Sequence, residues 1–155
     1  MKTNTRSRNM LLSGLALALM FTLISAGYLT RPAAAAPVAP VALNVQASAS
    51  AGFAMQGNLN AANILVVVTG PDGAPVTDLA QADFSVINHF TLPGQVCGFS
   101  NNITSFVNAG TGAYRIRVGL PGGGGCAWVH GDYLGQARIE SGTRKGQAPF
   151  VLSIP

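Results

Sequence analysis

The stretch GLPGGGGCAWVHGDY at 119–133 brings together a glycine run, a cysteine, a tryptophan and a histidine, each able to do chemistry in the right surroundings. A phosphate cradle needs its glycines to feed a helix that opens with lysine and a hydroxyl residue. Gly122–Gly125 instead run into Cys126, Ala127 and Trp128, with no lysine and no helical pattern behind them. Nothing here would hold a nucleotide phosphate. Metal binding would draw on Cys97, Cys126, His89 and His130, the only cysteines and histidines of the chain. Structural zinc usually shows a close ligand pair. Cys126 and His130 lie four residues apart, a spacing that fixes no geometry outside a helix. Copper would welcome thioethers as well, and Met55 is the one methionine beyond residue 36. Neither a metal nor a cofactor is expected.

Nucleophilic catalysis asks for a serine or cysteine with a base and a group to orient it. The serines sit in stretches such as QASAS and IESGT, with no G-x-S-x-G elbow. Asp72, Asp78 and Asp83 fall at turns or strand starts, and Asp132 follows Gly131 into the next strand. Capping and turn formation account for such carboxylates. No catalytic residue is expected. Trp128 is the open position. In a strand it shares a face with Cys126, which favours the core. Held beside a flexible loop it becomes a candidate partner contact, with Tyr133 beside it.

Residues 1–36 read as a leader. Lys2, Arg6 and Arg8 precede an apolar run from Met10 to Leu29, and the Ala-rich RPAAAAPVAP offers cleavage sites, of which the one after Ala36 fits best. That is the order of a cleaved secretory signal peptide. A retained membrane anchor is the competing reading, because the run is long enough to span a bilayer. Export implies a secreted or periplasmic chain. The formal +4 of the whole sequence then falls away. Arg115, Arg117, Arg138, Arg144 and Lys145 are balanced by Asp72, Asp78, Asp83, Asp132 and Glu140, so no basic surplus points to nucleic acid. No stable membrane insertion is expected after cleavage. In an oxidising compartment Cys97 and Cys126 are expected to form one disulfide, with metal ligation or free thiols as the alternatives.

Residues 37–155 make one domain's length, and the elements that must position these side chains are strands. VALNVQ puts Val41, Leu43 and Val45 on one face. Residues 46–61 are small and polar, with Phe53 and Met55 as core or covering positions. ANILVVVTG reads as a strand buried on both faces. PDGAPV is turn chemistry. In TDLAQADFSVINHF, a helical turn capped by Thr77 or Asp78 leads into a strand with Phe84 and Val86 on one face. Residues 91–105 read mostly as loop around Cys97. In AYRIRVGL, Tyr114, Ile116, Val118 and Leu120 alternate with Arg115 and Arg117, the mark of a half-buried strand. Tyr133, Ala137 and Ile139 alternate with Gln136, Arg138 and Glu140, and Phe150, Leu152 and Ile154 close the chain in the same way. SGTRKGQ reads as a solvated hairpin tip, and Asn102-Ile103-Thr104 matches a glycosylation acceptor. The pattern predicts an all-β fold, an antiparallel immunoglobulin-like sandwich of about seven strands with one disulfide.

The order VVVTGPDGAPVTDLAQADFSV, GTGAYRIRVGLP and W-x-x-GDYLGQARIESG, over residues 41–154, resembles the bacterial extracellular immunoglobulin-like and macroglobulin-like modules. The resemblance implies a sandwich used in adhesion, spacing or carriage. It leads to the expectation of a non-enzymatic secreted or periplasmic module that binds another protein or a cell-envelope component. A passive structural subunit, or a small metal-binding or enzymatic periplasmic protein, are the alternatives.

Overall fold

A computed structural model describes residues 38–90, 92–122 and 124–155. The expected signal segment, 1–36, lies outside them. Eight strands follow in order: β1 (Val41–Ala42), β2 (Asn44–Ser50), β3 (Ala62–Thr69), β4 (Phe84–Asn88), β5 (Ile103–Asn108), β6 (Ala113–Val118), β7 (Gly131–Ser141) and β8 (Arg144–Ile154). They form two four-stranded sheets, β1-β8-β7-β4 and β2-β3-β6-β5. Every pairing is antiparallel except β1 on β8. With β2 to β8 lettered A to G, the sheets are A-B-E-D and C-F-G, the strand order of an immunoglobulin-type sandwich.

The alternating residues read from the sequence line the interior. Ile64, Val66 and Val68 of β3 face Val86 of β4, Ala137 and Ile139 of β7, and Leu152 of β8 across the core; all are fully buried. The aromatic residues gather in two groups. Phe84, Phe106 and Tyr114 lie within 5.0–5.7 Å of one another by ring centroids. Phe99, Trp128, Tyr133 and Phe150 form the second group, with Trp128 edge-on to Tyr133 at 5.2 Å.

Four local expectations change. VALNVQ is not one strand: β1 pairs with Arg144 and Lys145 in one sheet, and β2 pairs with β3 in the other. The chain crosses at Leu43, whose N–H donates to the Lys145 carbonyl at 2.7 Å. Gly146 permits the crossing, because a Cβ there would stand 2.6 Å from Val45 and 2.9 Å from Leu43. β3 is not buried on both faces. Leu65 is 45% exposed and sits opposite Arg115, because this sheet leaves its outer face to water. The helical turn is a single 3-10 turn at Gln81–Asp83 whose N-cap is Ala80, and Asp83 within the turn accepts the Ala80 N–H at 2.7 Å. Asp78 instead receives Arg144 at 2.8 Å, so the hairpin tip is tied to the loop after β3. The loop reading of 91–105 overlaps β5 by three residues; β5 is an edge strand with a register shift at Ile103/Ser105, which blurs its alternation.

Candidate functional site

The register places three long loops at one end of the sandwich. β2 ends at Ser50 opposite Asn63, and β3 starts at Ala62 opposite Val118, where β6 ends. β5 starts at Ile103 opposite the same Val118. β4 ends at Asn88 opposite Gly135, and β7 begins at Gly131 opposite Ile154. The loops 51–61, 89–102 and 119–130 therefore leave the sheets together, beside Pro155.

These loops are fastened to one another. Cys97 of the second and Cys126 of the third form the disulfide, with Cα atoms 5.5 Å apart. The bridge joins two loops rather than two strands, and both thiols are committed to it. Trp128 ties the third loop to the first. Its N–H donates to the Asn58 carbonyl at 3.0 Å, its carbonyl accepts the Gly57 N–H at 2.9 Å, and its indole Nε1 donates to the Asn60 carbonyl at 2.8 Å. Trp128 and Tyr133, offered by the sequence as partner contacts, are 1% and 0% exposed. Neither presents surface to a partner, and the core reading of Trp128 is the one the packing realises. The physical reason is the aromatic group beneath the loops, which takes both rings.

Tyr133 stands near the start of β7, and its hydroxyl turns back on the chain. It accepts the Val129 N–H at 2.9 Å, lies 3.0 Å from the Val129 carbonyl, and donates to Gln95 Oε1 at 2.5 Å. Gln95 also donates to the Cys97 carbonyl. This is the arrangement known as a tyrosine corner in immunoglobulin-type sandwiches. Burial pushes the Tyr133 phenol above its ordinary range, and the Val129 N–H opposes that shift. Tyr114, which donates to the Val76 carbonyl at 2.7 Å and accepts the Leu79 N–H, is raised by burial in the same way.

The first loop is built around two asparagines. Asn58 Oδ1 accepts the N–H groups of Met55 and Asn60, each at 3.1 Å, while Asn58 and Asn60 both donate side-chain N–H to the Phe53 carbonyl at 3.1 Å. Ala54 is driven fully into the core. With the backbone so occupied, the neighbouring large side chains turn outward. Phe53 is 75% exposed, Met55 55% and Leu59 47%. The sequence offered Phe53 and Met55 as core or cover, but Ala54 takes the inward position between them. Phe90 and Val96 of the second loop are also exposed. The sequence carried a signal for this that periodicity does not read: none of the three loops contains Asp, Glu, Lys or Arg.

Phe99 went unremarked in the sequence, since a lone aromatic between glycine and serine shows no period, yet it is fully buried at the centre of the second aromatic group. The residues after it shield β4. Asn101, the one described non-glycine residue at positive φ (55°), donates its N–H to the Val86 carbonyl and accepts the Val86 N–H on Oδ1. Ser100 Oγ accepts the Asn88 N–H. Asn102 of the glycosylation pattern has its side-chain N–H on the Gly119 carbonyl at 2.9 Å.

A second apolar area lies on the outer face of β7 and β8. Leu134 and Val151 are directly opposite each other there, each half-exposed, with Pro149 and His89 beside them. Among the described residues no group of three or more His, Cys, Asp or Glu could hold a metal ion. His89 and His130 are both exposed, on different loops. No helix among the described residues is long and apolar enough to cross a membrane. No protein-family model matches this chain, and no curated protein or solved structure does so either.

Proposed function

We propose that this chain is an exported, non-enzymatic immunoglobulin-like binding module, secreted or periplasmic, that engages a protein or another envelope component through its loop end. One observation carries the reading: loops 51–61 and 89–102 hold Phe53, Met55, Leu59, Phe90 and Val96 out in solvent on a backbone fixed by the disulfide, Trp128 and two asparagines. Scattered exposed apolar residues are ordinary. Several on two loops that are each fastened to the third, by Trp128 and by the disulfide, form a contact surface, and interface cores favour aromatic and methionine side chains over charged ones. Fixing the loops beforehand also lowers the entropy lost when a partner is met.

The test compares capture of envelope components by the wild type, by Phe53→Ser/Phe90→Ser, and by Leu134→Ser/Val151→Ser on the β7–β8 face. Loss of capture in the loop variant alone supports the reading. Loss confined to the Leu134/Val151 variant would move the contact to the sheet.

A further inference from the structure

Resting on the loop end as the contact surface, we infer that its occupant is a lipid surface, with Phe53, Met55, Leu59, Phe90 and Val96 entering the boundary between headgroups and acyl chains. Charge distribution is the first argument. Every Asp, Glu, Lys and Arg of residues 38–155 lies outside the three loops, and Arg117 and Asp132, the charged side chains nearest to them in sequence, belong to β6 and to the start of β7. A protein interface surrounds its apolar core with a polar rim, where charges are tolerated and useful. A formal charge carried toward hydrocarbon is costly. Three successive loop clusters without a single formal charge meet the stricter demand.

Shape is the second argument. The exposed apolar side chains belong to separate loops, fastened at their base by the disulfide and Trp128. Separate tips on a stiff base can sink together into a soft phase that needs no complementary surface. In the first loop three backbone groups are already occupied: the Phe53 carbonyl by both asparagines, and the N–H groups of Met55 and Gln56 by Asn58 and Pro155. Dipping the first loop thus leaves fewer bare peptide groups to lose water.

The absence of basic residues sets this mode apart from electrostatic attachment. Peripheral helices and polybasic segments draw on anionic lipid and weaken with salt. Here only apolar burial contributes, so association is reversible, indifferent to anionic lipid and insensitive to salt.

Flotation with neutral phosphatidylcholine vesicles tests the proposal, using protein as recovered from expressing cells with its amino terminus determined. The wild type is expected to float, equally with or without phosphatidylglycerol and at low or high salt. Phe53→Ser and Phe90→Ser should each lower partitioning by about tenfold, the effect of removing one large apolar side chain from lipid. Leu134→Ser/Val151→Ser should float as the wild type does. Unchanged emission from Trp128, the only tryptophan in the chain, reports that the variants are folded. Failure of the wild type to float, equal flotation of wild type and loop variants, or binding only to anionic vesicles overturns the inference. Should flotation fail while loop-dependent capture of a protein persists, the lipid assignment falls and the loop end stands as a protein contact.

Discussion

Tyr133 and Trp128 show what a residue type discloses and what it withholds. Both were legible as aromatic residues near a loop, and an inward-facing reading of Trp128 was available from its spacing to Cys126. The sequence does not disclose that their polar atoms are spent on loop backbone: the Tyr133 hydroxyl on Val129 and Gln95, the indole N–H on Asn60. Those partners are up to 68 residues away, and no local pattern encodes them. The tyrosines carry a pH consequence. With both phenols held above their ordinary pKa of about 10 by burial, the folded state binds more protons than the unfolded one at alkaline pH. Their contribution is therefore full below about pH 10 and is lost as pH rises through the folded-state values. Alkaline unfolding followed by circular dichroism, with phenolate absorbance recorded in parallel, should show ionisation of these two groups arriving with the loss of structure. Ionisation that precedes unfolding would mean the hydroxyls are open to water.

At the level of elements, alternation revealed most of β6, β7 and β8, because each buries one face and wets the other, whereas β3 was legible only as an apolar run whose wet face went unread. Alternation failed where a strand was short, bent or at an edge. β1 and β2 fuse into one apparent strand because the crossing at Leu43 preserves the alternation while changing the sheet. β5 lost its signal to a register shift. Glycine at strand-interior positions was the clue left unused. Gly135 faces inward on β7 directly opposite Phe150, whose ring occupies the space a side chain would need, 2.3 Å from the Cβ position. Gly135→Ala should force the ring out of place and lower stability by about 1–3 kcal/mol, measured by chemical denaturation. Adding Phe150→Leu should recover part of that loss, and strictly additive costs would show that the two residues do not compete for space.

For the whole molecule, the all-β sandwich class followed from many short alternating segments, whereas the gathering of three loops at one end depends on which strands pair. The disulfide belongs to this scale, since it closes a separation of 29 residues and spans most of β5, β6 and their connections. Removing it by Cys97→Ala/Cys126→Ala should lower the unfolding free energy by about 3–4 kcal/mol, seen as an earlier denaturant midpoint. An unchanged midpoint would mean that Trp128 and Tyr133 hold the loops without it. Ion pairs add little to this account. Arg138–Glu140, Lys145–Glu140 and Arg144–Asp78 are all at the surface, where such pairs contribute weakly.

The parallel pairing of β1 beside the β7–β8 turn, with the Val41 N–H on the Thr143 carbonyl, puts the start of the domain at the end of the sandwich away from the loops. The Pro155 carbonyl, by contrast, accepts the Gln56 N–H, between the exposed Met55 and the loop's turn. The two ends of this domain are thus unequal places to attach anything. A bead, fluorophore or purification handle coupled ahead of Val38 leaves Phe53 and its neighbours clear, whereas one fused after Pro155 emerges among them and would blunt the contact it was meant to report.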